Sequence, residues 1–159
     1  MKKKNFVLSF LLIISLFYSD TIFAHSSQEK FESINQEITY NDDGSYVITT
    51  LEIIPSSRTT NVISGKKTAT AYNSNDVAQW SFTLSATFHY EKGITATCTS
   101  VSHAHSIFNS DWTISSESSS KSGNVAYGTA TGKKTILFIT TEEKTVDVQI
   151  SCDSNGTLH

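Results

Sequence analysis

Apolar and polar residues alternate without interruption over residues 79–90, where Trp80, Phe82, Leu84, Ala86, Phe88 and Tyr90 are set against Gln79, Ser81, Thr83, Ser85, Thr87 and His89. Six apolar side chains at a period of two cannot share one face of a helix, so the pattern predicts a long strand with one buried and one hydroxyl-rich face. Glu91-Lys92-Gly93 then supplies a three-residue hairpin connection with glycine in the left-handed position. Setting Tyr90 against Ile94 places Phe88 opposite Ala96 and Ala86 opposite Cys98, which continues the apolar face.

The rest of the chain carries shorter runs of the same kind. Val146, Val148, Ile150 and Cys152 oppose Asp147, Gln149 and Ser151 and predict a strand over 145–152. Trp112 and Ile114 open a strand that gives way to a serine-rich loop over 118–124; a strand resumes over 125–131, and Gly132-Lys133-Lys134 turns it into another over 135–140. Upstream, strands over 38–40 and 46–53 flank the turn Asn41-Asp42-Asp43-Gly44, and Pro55 closes the second by removing a backbone donor. Residues 56–65 read as a loop and 67–72 as a weaker strand. Residues 25–37 are polar, with Phe31, Ile34 and Ile38 at helical spacing and Ser26 and Glu29 in capping-box relation, which predicts a short helix or a flexible arm. The expected fold is all-β: an antiparallel β-sandwich or small barrel of seven to nine strands, as a single domain over residues 38–159.

Residues 1–24 stand apart. Lys2, Lys3 and Lys4 precede an apolar run over 6–18, followed by Thr21-Ile22-Phe23-Ala24, which is the order of a secretory signal peptide. A retained anchor needs about 20 apolar residues, and this run contains Ser9 and Ser15. No cysteine follows it, so no lipoprotein anchor is expected. The expectation is a secreted, extracellular monomer, with no stable membrane insertion after cleavage behind Ala24.

Composition agrees with strands and sharpens the charge. The 159 residues include 25 serines, 21 threonines and a single proline, a content poor in strong helix formers that excludes collagen and coiled coil. Loss of the leader removes three lysines and Asp20, taking the formal net charge from −3 to −5. A basic footprint for nucleic acid is therefore absent.

Two constellations carry candidate chemistry. Cys98 and Cys152 both fall on the apolar side of their strands, and an exported chain with two cysteines joins them by default. A disulfide closing that loop stabilises by roughly 4 kcal/mol in the chain-entropy model; the spacing lacks the Cys-x-x-Cys signature of redox and zinc sites. His103-Ala104-His105 places two imidazoles on one face of a strand, a spacing that suits zinc, copper or nickel. His89 is excluded as a third ligand by the hairpin register, so a third ligand must come from elsewhere, with Asp111 and the mature N-terminus as candidates. After cleavage His25 becomes amino-terminal, and that single residue is similar to the copper clamp of lytic polysaccharide monooxygenases. Convergence of His103, His105, Asp111 and Trp112 in one cleft would favour an enzyme.

Other chemistry is not marked. There is no Gly-x-Ser-x-Gly elbow, phosphate loop, dinucleotide fingerprint or EF-hand loop, and no cofactor is expected. The pairs Asp42-Asp43 and Glu142-Glu143 sit at predicted turns. Tyr72, Phe108, Trp112 and Tyr127 are not assigned to the core by alternation, and aromatic platforms on a hydroxyl-rich β face suit sugars.

Read in order, Trp80-Ser81-Phe82-Thr83, Ala86-Thr87-Phe88-His89-Tyr90, Cys98-Thr99-Ser100, Lys121-Ser122-Gly123-Asn124 and Cys152-Asp153-Ser154-Asn155-Gly156 resemble small secreted proteins of low-GC Gram-positive bacteria that have no characterised function. The resemblance implies Gram-positive-type export, an all-β domain and the two-cysteine framework, and carries no catalytic residue across. An immunoglobulin pattern matches less, since Trp80 precedes the first cysteine. The expected function is a non-catalytic binding or interaction module for an extracellular glycan or protein. The alternatives are a secreted metal-binding protein or enzyme using His103 and His105, and a secreted inhibitor or toxin-like protein presenting an exposed loop over 115–124.

Overall fold

A computed structural model of the chain describes residues 32–54 and 61–159. The leader, its cleavage site, His25 and Pro55 lie outside these residues. The described residues form eight antiparallel strands and no helix: β1 (Glu32–Tyr40), β2 (Tyr46–Ile54), β3 (Val62–Tyr72), β4 (Ala78–Glu91), β5 (Thr95–Ile107), β6 (Trp112–Ser122), β7 (Val125–Ile136) and β8 (Ile139–Ser151). They make a five-stranded sheet in the order β1-β2-β3-β4-β5 and a three-stranded sheet in the order β6-β7-β8, each a plain meander. The all-β expectation holds, and the strand count falls in the expected range.

The alternating strand β4 is the centre. Trp80, Phe82, Leu84, Ala86 and Phe88 are buried, with Leu51, Ala69 and Ala71 beside them in the same sheet. The opposing sheet contributes Ala126, Ala130, Val146, Val148 and Ile150. β7 meets β4 with small residues only: a Cβ on Gly128 would stand 2.8 Å from the Phe82 ring, and one on Gly132 would stand 2.5 Å from the Trp80 ring. The large side chains of β4 thus fill a trough that β7 leaves open by having no bulk there.

Several expected boundaries are corrected. Residues 32–37 belong to β1, whose pairing with β2 sets Ile38 against Ile48, so the helix or arm does not extend over them. The structure starts β3 at Val62, inside the segment read as a loop. The serine-rich segment is not a loop: β6 runs to Ser122 and only Gly123 and Asn124 turn the chain. Serine fits either face of an edge strand, so its period is invisible in the sequence. β7 passes straight through Gly132-Lys133-Lys134 to a turn at Leu137 and Phe138, because Gly132 is there to admit Trp80.

The β4–β5 register is also corrected. Phe88 faces Cys98, not Ala96, since the turn takes in Ile94 and the first pair is Glu91 with Thr95. Thr99 is then an extra residue, and beyond this bulge Thr87 faces Ser100 and Ala86 faces Val101. A bulge flips the parity of everything that follows it. His103 stands opposite Leu84 and His105 opposite Phe82, on the core-facing side of the sheet.

The two cysteines are buried and unbonded, so the expected disulfide is not present in the structure. Their backbones are nonetheless tied to one turn. The Cys98 N–H donates to the Gly123 carbonyl at 2.8 Å and the Cys152 N–H to the Asn124 carbonyl at 3.0 Å. Burial pushes both thiols up, Cys152 to about 11 with Asp153 adding to the effect.

Candidate functional site

Sheet arithmetic creates a concavity. β8 packs over β3, and β6 and β7 pack over β5 and β4, so the three-stranded sheet leaves β1 and β2 without an opposing strand. Their core-facing side chains need not be apolar along this stretch. Glu37 pairs with Thr49, and Thr39 lies one step along the same face. A groove of about 680 Å³ runs between this uncovered wall and the outer face of β6–β8. Ser118, Ser120, Tyr127, Thr129, Asp147 and Gln149 form its floor, and Glu37, Thr39, Thr49 and Lys67 its wall.

The floor follows from strand register. Tyr127 stands between Ser120 on β6 and Gln149 on β8, and Thr129 between Ser118 and Asp147. The inward neighbours Ala126, Gly128 and Ala130 are buried beneath them, so alternation forces Tyr127 and Thr129 outward. The result is one exposed aromatic ring framed by hydroxyl, amide and carboxylate groups. Such a set suits hydrogen bonding and stacking, and no nucleophile in it is paired with a base.

His103 and His105 have a different environment. The Nδ1 atom of His103 lies 2.8 Å from Ser119 Oγ, and that of His105 lies 2.9 Å from Glu117 Oε2; His103 Nε2 is 3.9 Å from Glu117 Oε1. The His103 ring also stacks on Phe82 with centroids 5.8 Å apart. Lys121 donates to the Thr99 carbonyl at the bulge. Residues 99, 103 and 105 of β5 therefore meet 121, 119 and 117 of β6 in sequence, closing the edge where the two sheets join.

The other residues proposed for chemistry do not join this seam. Trp112 is buried, opposite Lys134, and its Nε1 donates to Gln79 Oε1 at 3.0 Å. Asp111 lies in the β5–β6 connection, its carbonyl accepting from the Thr135 N–H. Five strand positions, roughly 16 Å at strand rise, separate Trp112 from Glu117. Among the described residues, no three His, Cys, Asp or Glu side chains are grouped to hold a metal ion. The segment 115–124 expected to present an inhibitory loop is β6 and its turn, paired with β7 along its length.

Two surfaces were not found by sequence reasoning. Tyr40, Tyr46 and Tyr72 are cross-strand neighbours on β1, β2 and β3; the Tyr46 and Tyr72 rings stack at 5.0 Å, and Tyr40 tilts against Tyr46 at 5.5 Å. The Asn41–Gly44 turn, correctly placed, was a sufficient signal for the Tyr40–Tyr46 pair. The second surface is the β7–β8 tip, where Ile136, Leu137, Phe138 and Ile139 are all exposed. No protein-family model, curated protein or solved structure matches the chain.

Proposed function

We propose that the chain is an exported, non-catalytic binding module that holds an extracellular glycan in the groove between β1–β2 and the outer face of β6–β8. The observation that carries this reading is Tyr127, an exposed ring at the centre of a floor otherwise made of hydroxyl, amide and carboxylate groups. Sugars offer an apolar C–H face that stacks on such a ring and hydroxyls that bond to planar polar groups around it. Glu37 and Asp147 accept from sugar hydroxyls, Lys67 donates, and Gln149 does both.

Residues 1–24 act as a cleaved leader in this reading, and the buried Cys98 and Cys152 are oxidised to a disulfide on export. Their joint attachment to the Gly123-Asn124 turn supports the pairing. A glycan array and a cell-wall pull-down, run on the wild type and on Tyr127→Ala, test the function. The wild type is expected to retain a carbohydrate with a Kd below about 1 mM, and Tyr127→Ala to release it. Retention of none, or equal retention by both proteins, overturns the reading.

A further inference from the structure

We infer that the end of the sandwich bearing the β7–β8 tip is a docking surface for a lipid bilayer, at which Leu137 and Phe138 enter the interfacial region. The proposal is independent of the glycan groove. It begins with turn chemistry: Leu137 and Phe138 have φ of 49° and 68°. Both central residues of this two-residue hairpin are left-handed, a geometry that favours Asn-Gly. Two large apolar residues occupy it instead, with relative exposures of 85% and 100%. Local folding does not ask for them and the core does not use them.

The surroundings point to a bilayer. Residues 135–141 carry no charge. At the hairpin base Lys133 pairs with Glu143 at 3.3 Å, and Lys144 with Glu142 at 2.9 Å and Asp43 at 3.7 Å; with Lys134, three lysines stand against three carboxylates, so the collar presents little net sign. Asp43, Ser74, Gln79 and Trp112 line one small cavity with Lys134 and Lys144, which places the β1–β2 and β3–β4 turns at this same end. Tyr40 and Tyr46 flank the first of those turns, and Phe108 is exposed on the neighbouring β5–β6 connection. Tyrosine is favoured at headgroup level, where its ring is half apolar and half wet.

Size argues against a second copy of the chain. A protruding tip of four side chains offers on the order of 500 Å², against the roughly 800 Å² per partner of a stable interface. A bilayer needs no complementary patch. The formal charge, −3 for the whole chain and −5 without residues 1–24, further favours zwitterionic over anionic lipid.

Co-sedimentation with phosphatidylcholine vesicles tests the proposal, comparing the wild-type chain with Leu137→Asn/Phe138→Gly. Both proteins carry the same N-terminal residues, so any lipid affinity of the leader is common to them. The substitutions fit the turn better than the native pair, so loss of fold does not confound the result. The variant is expected to lose about tenfold in partitioning, and wild-type binding to persist between about 0.05 and 0.5 M salt. Equal partitioning of the two proteins overturns the proposal, as does salt-sensitive binding or no wild-type binding. A Phe138→Trp variant whose emission fails to shift to the blue on vesicle addition also overturns it.

Discussion

The imidazole of His105 meets the carboxylate of Glu117 across the edge where the two sheets join, with Nδ1 2.9 Å from Oε2. The contact joins β5 of one sheet to β6 of the other, and it exists because the bulge at Thr99 turns His105 to the core-facing side. An exposed pair of this kind contributes about 0.5–1 kcal/mol at most. A double-mutant cycle of His105→Ala and Glu117→Ala, read by urea denaturation, is expected to give a coupling energy in that range. Zinc or copper added to the wild type is expected to leave the midpoint unchanged, and a metal-dependent rise would return the histidine pair to the list of ligand sites.

Gly132 tests the packing of the two sheets. A Cβ there would meet the Trp80 ring at 2.5 Å, and both flanking strands are fixed by pairing. Gly132→Ala is expected to cost about 1–3 kcal/mol by overpacking. Glycine at position 132 has ordinary strand geometry, so a neutral result would show that Trp80 is free to move away. Thermal denaturation of the variant gives the answer directly.

The buried thiols set an alkaline limit on the reduced protein. Burial raises the folded-state pKa of Cys152 to about 11, above its unfolded value of about 8.5. The folded form holds the thiol proton more tightly, so this stability is complete below the unfolded pKa and is lost as pH rises through that window. Reduced protein is expected to lose stability between about pH 8.5 and about 11, and oxidised protein to lack that component. Native-state alkylation at pH 8 should be slow beside alkylation in denaturant. Equal rates would mean that the thiols are accessible.

Asp153 sets the matching acid limit. Its carboxylate accepts the N–H of Thr157 and of Asn155, each at 2.8 Å, and these bonds hold its pKa below the ordinary value, with His159 assisting. The folded-state value is depressed, so the stabilisation is present above the unfolded pKa of about 3.9 and is lost as pH falls through the folded value. The loop it organises carries Leu158 into the core, beneath Gly65. Asp153→Asn is expected to flatten the acid limb of a stability-against-pH curve. An unchanged limb would assign acid sensitivity to other groups.

Elements whose signal is local were legible in the sequence. The β4 alternation places Trp80, Phe82, Leu84 and Phe88 in the core, and the Asn41–Gly44 turn closes with the Gly44 N–H donating to the Asn41 carbonyl at 3.0 Å. The bulge at Thr99 was not legible, because one extra residue depends on how β5 meets its neighbours. Gly132 gives the same sequence signal whether it makes a turn or admits an indole, and the turn was expected in its place. Leu137 and Phe138 have no turn chemistry to announce the hairpin they form. The groove depends on five strands facing three, an offset no local pattern records, although Tyr127 was already among the aromatic residues not assigned to the core.

The central claim rests on the Tyr127 floor, and an amide-resolved NMR titration with chito- and cello-oligosaccharides tests it most directly. The account predicts shifts clustered at Ser118, Ser120, Tyr127, Thr129, Asp147 and Gln149, and a loss of about tenfold in affinity on Tyr127→Ala. It also predicts little change in stability for that variant, since Tyr127 is exposed and does not belong to the core cluster. Shifts confined to the β7–β8 tip or the histidine seam, or no shift with either sugar series, would contradict it.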